Sequence, residues 1–223
     1  MSVKLFFDAI IKITIGIILI GLLLFLPAGS LNYWNAWVLM ILLFVPMFIA
    51  GVVMMIKSPD LLRRRLDIKE KQSEQKEVIA ISGLMFLAGF IIAGLNYRFD
   101  WIPMNKIVVI VGAVLFVLSY FLYAVVLKEN AYLLRTIKVE ENQKLIDTGL
   151  YGIVRHPMYF ATIFLFLSMP LILGSWISFI IFLIYPFVIV KRINNEEEVL
   201  EEELKGYKEY KKKVKYRLIP FIW

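Results

Sequence analysis

The sequence contains no cysteine and a single histidine, His156, among its 223 residues. Without cysteine the chain cannot form disulfides, use a thiol nucleophile, hold a metal through thiolates or carry lipid on cysteine. A catalytic zinc ion needs several ligands of the right type, and one histidine does not supply them. We therefore expect no metal site, and the function has to depend on other polar side chains.

Charged residues are also scarce, at 19% of the chain, whereas hydrophobic residues make up 61%. Soluble globular domains are usually close to half apolar, so the composition indicates a membrane protein. The net charge of +7 is compatible with nucleic-acid binding. No soluble segment, however, has the basic stripe with interleaved aromatic residues that such binding uses, and we expect none. In a membrane protein this charge indicates basic loops near anionic lipids.

Long apolar runs predict an all-α integral membrane protein with about six transmembrane helices, because each crossing needs about 20 apolar residues. The last run is too long for one helix and is broken by Pro170, Gly174-Ser175 and Pro186, which predicts a tight hairpin with its tip at Gly174-Ser175. The first run lacks a small-residue cleavage site and is expected to be a retained helix. The runs cover residues 13–26 (extending back to 5), 34–56, 78–95, 107–127 and 159–190.

The distribution of lysine and arginine predicts the orientation of these helices. Segment 57–77 holds seven basic residues and segment 128–155 holds five, whereas segment 27–33 has none and segment 96–106 has two. The basic segments are expected in the cytoplasm, together with both termini. After residue 191 the chain is highly charged with helical periodicity, which predicts a helix that runs on along the cytoplasmic surface. The apolar, aromatic end is expected to fold back onto the protein or the membrane interface.

The first group of candidate functional residues surrounds His156. Because Pro157 disfavours helix in the preceding residue and suits the first position of a helix, His156 is predicted to cap the fifth membrane helix. A helix start carries free N–H groups and partial positive charge, so together with Arg155 it suits a carboxylate or phosphate. The alternative is a structural cap with an arginine that reaches lipid phosphate.

A second group of polar residues follows the last membrane helix. Arg192 and Glu196 are four residues apart and share a helix face, and Glu197 follows directly. Carboxylates at this place are suited to ribose hydroxyls or an ammonium group, although the run from Glu196 to Glu198 is equally typical of a solvated acidic face. A third, weaker group comprises Lys128-Glu129-Asn130 and Gln143.

In combination these residues resemble the isoprenylcysteine carboxyl methyltransferase family, to which membrane phospholipid methyltransferases are related. The resemblance covers residues 128–223. Its motifs are Thr148-Gly149-Leu150-Tyr151, Arg155-His156-Pro157-Met158-Tyr159, Arg192 with Glu196-Glu197, Gly206-Tyr207 and Tyr210, and a basic-aromatic tail. Residues 1–127 are expected to form four transmembrane helices, and residues 128–223 a methyltransferase-like region with the hairpin and the C-terminal helix.

The resemblance implies an all-helical protein that binds S-adenosylmethionine at the cytoplasmic membrane face and methylates a lipidic or amphipathic acceptor, possibly a prenylated one. Arg192 and Arg155 are the predicted catalytic residues, with Arg192 orienting an acceptor carboxylate. A carboxylate acceptor needs no general base; for an amine or thiol acceptor His156 is the candidate. The predicted cofactor-binding residues are Gln143, Tyr151, Arg155, His156, Pro157, Tyr159, Glu196 and Glu197.

Two alternatives remain at this point. Membrane sterol reductases, which use NADPH, also carry an Arg-His-Pro-like step and an Arg-x-Ile-Pro-aromatic tail similar to residues 217–221. The chain is short for that class. The other alternative is a non-catalytic membrane subunit or transport component. Ionisable residues in the middle of the apolar runs would favour it, but after Lys12, near the start of the first run, these runs contain none.

Overall fold

The computed structural model describes residues 3–66, 73–130, 132, 139 and 143–223, and these residues form helices and turns without a β-strand. The α-helices are α1 (Val3–Ala28), α2 (Trp34–Lys57), α3 (Pro59–Leu66), α4 (Ser73–Phe99), α5 (Lys106–Glu129), α6 (Pro157–Leu173), α7 (Trp176–Phe182), α8 (Ile184–Glu203) and α9 (Tyr207–Lys213). A short 3₁₀ helix, Gly149–Gly152, precedes α6. The fold class is therefore the predicted all-α membrane protein.

Within the described residues, five helical segments are long and apolar enough to cross a membrane. They are Lys4–Ala28, Trp34–Lys57, Gln75–Phe99, Lys106–Glu129 and Trp176–Glu203. The remaining apolar helix, α6, has 17 residues and is shorter than a usual crossing. The expected six helices thus appear as five of full length and one short one. Parts of the two basic segments used to predict the orientation, including Lys69, Lys71, Arg135 and Lys138, lie outside the described residues.

The predicted hairpin is present, and its tip is anchored by buried polar groups. Gly174 ends α6 with a φ of 73°, a conformation that favours glycine, and the side chain of Ser175 caps α7 at the N–H of Ser178. The last carbonyls of α6 accept hydrogen bonds from other segments. The hydroxyl of Tyr33 donates to Leu173 O at 2.6 Å, and Asn35 Nδ2 donates to Ile172 O at 2.7 Å. These bonds satisfy acceptors that a helix end leaves open.

Close packing joins α5 to α6 along the hairpin. A Cβ atom added to Gly112 of α5 would lie 2.6 Å from Leu171 Cβ and 3.1 Å from Ile172 N. Such an approach of two helices is possible only where one of them lacks a side chain. The main hydrophobic core then continues through Phe116 of α5 and Phe182 of α7, both fully buried.

The C-terminal region differs from the prediction in one respect. The expected continuous helix after the membrane ends at Glu203, and a turn through Gly206 separates it from α9. The last residues fold back onto the protein, as expected. Tyr216 O and Arg217 O accept hydrogen bonds from the backbone N–H groups of Arg155 and His156, at 2.9 and 2.8 Å. The tail thereby lies against the start of α6.

Candidate active site

A cavity lies at the end of the bundle where α6 begins and α8 ends. It has about 830 Å³ of empty space, part of which is open solvent. Segment 143–151 forms one side and α9 another. The lining residues are Asn130, Tyr132, Gln143, Lys144, Leu145, Ile146, Tyr151, Arg155, His156, Met158, Tyr159, Arg192, Glu196, Val199, Leu200, Leu204, Tyr207 and Tyr210.

The two predicted motif segments meet at this cavity. His156 has the expected non-helical conformation, with a φ of −127°, and Pro157 occupies the first turn of α6. The ring atom Nε2 of His156 lies 3.2 Å from Glu197 Oε1 on α8. The segment that enters the hairpin and the segment that leaves it therefore form one cluster.

Glu197 is the centre of a buried ionic cluster. Its side chain is 2% exposed, and its oxygens accept hydrogen bonds from Arg155 Nε at 2.7 Å and from Arg217 Nε at 3.0 Å. Arg155 also donates through Nη1 to Val214 O and Lys215 O, at 2.7 and 2.8 Å. The cluster therefore ties α8, the start of α6 and the C-terminal tail together, and it satisfies charges that would otherwise be costly to bury.

Glu196 has a different environment. It lines the cavity, and its Oε2 accepts a hydrogen bond from the hydroxyl of Tyr159. That hydroxyl in turn accepts a hydrogen bond from Arg192 Nε at 2.8 Å, and the guanidinium of Arg192 lies over the Tyr159 ring. Glu196, Tyr159 and Arg192 thus form a connected polar wall, with an acidic and a basic group at either end.

Of the predicted site residues, most line the cavity and two do not. Pro157 is buried in the first turn of α6, and Glu197 is occupied by its basic partners. The lining residues among those predicted are Gln143, Tyr151, Arg155, His156, Tyr159, Arg192 and Glu196. Glu198, the third carboxylate of the run, is exposed to solvent. The geometry therefore assigns a different environment to each of the three consecutive glutamates.

The weaker third group contributes to the cavity in two ways, one indirect and one direct. Glu129, at the end of α5, accepts a hydrogen bond from the backbone N–H of Leu150 at 2.9 Å. The bond holds the 3₁₀ helix that carries Tyr151 into the cavity. Asn130, the residue that ends α5, lines the cavity directly.

Sequence reasoning gave no site role to Tyr207, Tyr210, Arg217 or the leucines of the wall. The hydroxyl of Tyr210 donates to Tyr151 O at 2.7 Å. The hydroxyl of Tyr207 is buried and has no hydrogen-bond partner among the residues that the structure describes. Both tyrosines stood in the sequence within the motif Gly206-Tyr207 and Tyr210, but only the tertiary fold shows that α9 turns back over the cavity.

Comparison with known proteins finds similarity in the part of the chain that contains this cavity's polar wall. Residues 107–206 match the family model of the phospholipid methyltransferases, a family shared with the isoprenylcysteine carboxyl methyltransferases. The match covers less than half of the chain, so it is this part of the chain that is similar to the family. The match supports a membrane methyltransferase, and the matched residues include the start of α6, the hairpin and the end of α8.

Part of the chain is also similar to a reductase. Over 93 residues the chain is 30% identical to the Delta(14)-sterol reductase TM7SF2 of Mus musculus. The matched stretch covers 40% of this chain and 22% of the reductase. The matched part thus spans about a fifth of that protein. The similarity was expected from the Arg-His-Pro step and the tail, and it concerns a shared region, not the reductase as a whole.

Proposed function

We propose that the protein is a membrane methyltransferase that binds S-adenosylmethionine in the cavity between α6, α8 and α9 and methylates an amphipathic or lipidic acceptor. The observation that carries the proposal is the polar wall of Glu196, Tyr159 and Arg192, which lines a cavity and lies within the matched region. Tyr207 lines the same cavity, and its buried hydroxyl has no hydrogen-bond partner among the described residues, which supports a polar ligand in this space.

The chain's own residues are proposed to bind the cofactor and to align it with the acceptor. When bound, S-adenosylmethionine supplies a methyl group already activated by its sulfonium. Glu196 is suited to its ammonium group or ribose hydroxyls, and His156, with the nearby cation Arg155, to its carboxylate. Because the Nε and Nη1 atoms of Arg155 are engaged within the protein, we assign it mainly a positioning role. Alignment of two reactants can lower a barrier by about 7–11 kcal/mol.

Arg192 is proposed to orient the acceptor. A guanidinium matches the geometry of a carboxylate, so a carboxylate acceptor is favoured over an amine or thiol. Tyr159 fixes Arg192 through its hydroxyl, and Phe160 and Met158 on the same turn of α6 supply apolar surface. The acceptor therefore combines an anionic head with an apolar tail, as a prenylated carboxylate does.

The first test is cofactor binding to the full chain in nanodiscs, measured by calorimetry with S-adenosylmethionine and NADPH in parallel. We expect binding of S-adenosylmethionine below millimolar concentration and weaker binding by about tenfold or more in Glu196→Gln, since a charge-assisted hydrogen bond is lost. Glu198→Gln, the same change at an exposed position, serves as the control and should bind normally.

Saturable binding of NADPH without binding of S-adenosylmethionine would reject the methyltransferase in favour of a reductase, the second candidate that the partial similarity to the sterol reductase supports. The acceptor class is read from the product formed with methyl-labelled cofactor and lipid extract. A methyl ester releases labelled methanol in base, whereas an N-methyl or S-methyl product does not.

A further inference from the structure

Tyr207 is a polar residue that the protein buries without using its hydroxyl. It begins α9 directly after the turn at Gly206, is 3% exposed and lines the cavity. Its hydroxyl oxygen has no hydrogen-bond partner among the described residues, whereas Tyr210, three residues further on, donates its hydroxyl to Tyr151 O. Buried hydroxyls are nearly always paired, so an unpaired one at a cavity indicates a partner that arrives with a ligand.

The surroundings of Tyr207 combine apolar and charged groups. Around it lie Leu145, Leu200, Leu204 and the ring of Tyr210, with the two tyrosine rings 5.6 Å apart. The cavity is also lined by His156, Arg192 and Glu196. Tyr207 therefore has apolar and aromatic neighbours, while the charges of Glu197 and Glu196 are close enough to act on its phenol. Such surroundings suit a ligand that carries both a flat ring system and polar groups.

The hydroxyl of Tyr207 is available as a donor. Burial, followed by the negative charges of Glu197 and Glu196, raises the pKa of Tyr207 well above its ordinary value. The phenol therefore stays neutral, and its O–H can donate to a ring nitrogen or a ribose oxygen while its oxygen can accept.

We propose that Tyr207 is a further cofactor-binding residue, whose hydroxyl forms a hydrogen bond with the nucleoside part of the cofactor. This assignment rests on the proposed function, since it takes the cavity as the S-adenosylmethionine site. It gives α9 a direct role in binding in addition to its packing against segment 143–146.

The test compares two tyrosine hydroxyl deletions in the full chain in nanodiscs. Tyr207→Phe should weaken S-adenosylmethionine binding about three- to tenfold, the effect of one neutral hydrogen bond, and should leave the melting temperature of the unliganded protein unchanged or raised. Tyr33→Phe is the matched control. Its hydroxyl donates to Leu173 O at the other end of α6, so this variant should melt at a lower temperature and bind with normal affinity. Adenosine should displace the cofactor from the wild type, and the affinity of adenosine itself should fall in Tyr207→Phe by a factor similar to that for the cofactor.

Each other result overturns the inference in a distinguishable way. If the wild type binds S-adenosylmethionine and Tyr207→Phe binds it equally well, the hydroxyl makes no contact and the proposed function stands. If Tyr207→Phe melts at a lower temperature like Tyr33→Phe, its hydroxyl has a structural partner. If adenosine does not displace the cofactor from the wild type, the nucleoside assignment is wrong. If the wild type does not bind S-adenosylmethionine at all, this inference and the proposed function both fail.

Discussion

Three consecutive glutamates at the end of α8 have three different environments. Glu196 lines the cavity, Glu197 is buried among basic groups, and Glu198 is exposed. Successive helical residues are rotated by about 100°, so the three side chains cannot share one face. Their chemistry is identical, and the helix orientation alone decides whether each carboxylate lines the cavity, pairs with buried cations or meets solvent.

Glu197→Gln is expected to destabilise the protein by about 3 kcal/mol or more. The substitution removes the charge that compensates buried Arg155 and the adjoining Arg217, and leaving a buried cation unpaired is strongly unfavourable. Thermal unfolding in detergent measures the effect, with Glu198→Gln as the matched control of unchanged stability. A melting temperature of Glu197→Gln equal to that of the control would show that the cluster does not hold the tail in place.

At the scale of helices, the hairpin depends on how closely α5 approaches α6. Gly112 faces Leu171 and the backbone of Ile172, and no additional carbon fits there. Because the hairpin carries Tyr159 at one end and is anchored by Tyr33 at the other, displacement of α6 would move the polar wall of the cavity as well.

Gly112→Ala is therefore expected to lower the free energy of unfolding by about 1–3 kcal/mol through overpacking. Gly83→Ala is the control, since Gly83 lies in α4 with no atom within 4 Å of the added carbon. This change should be neutral or stabilising by up to about 1 kcal/mol, because alanine favours helix more than glycine does. Denaturation of both variants in the same detergent compares them, and equal stabilities would contradict the close approach.

At the scale of the whole molecule, the turns that connect the helices sort to two ends. Tyr33 and Met104 both contact the hairpin tip, through Leu173 and Gly174, so the turns poor in basic residues share one end with the tip. At the other end Lys12 contacts α3, Lys191 pairs with Glu77, and the cavity opens. This segregation of charge is typical of proteins whose basic end faces the cytoplasm.

Cysteine labelling tests this orientation cleanly, since the natural chain has no cysteine. Asn32→Cys and Glu202→Cys place single thiols at exposed positions, one at each end of the bundle. We expect an impermeant maleimide to label only Asn32→Cys in intact cells, and both variants after permeabilisation. Labelling of Glu202→Cys from outside intact cells would invert the predicted topology and place the cavity outside the cytoplasm.

Prediction from sequence succeeded where the signal is local. Apolar runs of sufficient length predicted the long helices, and Gly174-Ser175 predicted the hairpin tip, since a membrane leaves the backbone few alternatives. The break at Gly206 was missed, because Leu200, Leu204 and Tyr207 keep a helical spacing on both sides of it. The sequence also did not predict that Glu196 lines the cavity while Glu197 pairs with buried cations, because this difference depends on the position of Arg217, 20 residues after Glu197.

The sequence by itself determined that this protein is an all-α membrane protein whose charged C-terminal stretch follows the last apolar run, because hydropathy and the need to satisfy the backbone act within each segment. Only the tertiary structure decided which polar side chains face a common cavity. That choice depends on the rotation of α8 and on the return of α9 and the tail to the start of α6, and such long-range contacts leave no local pattern in the chain.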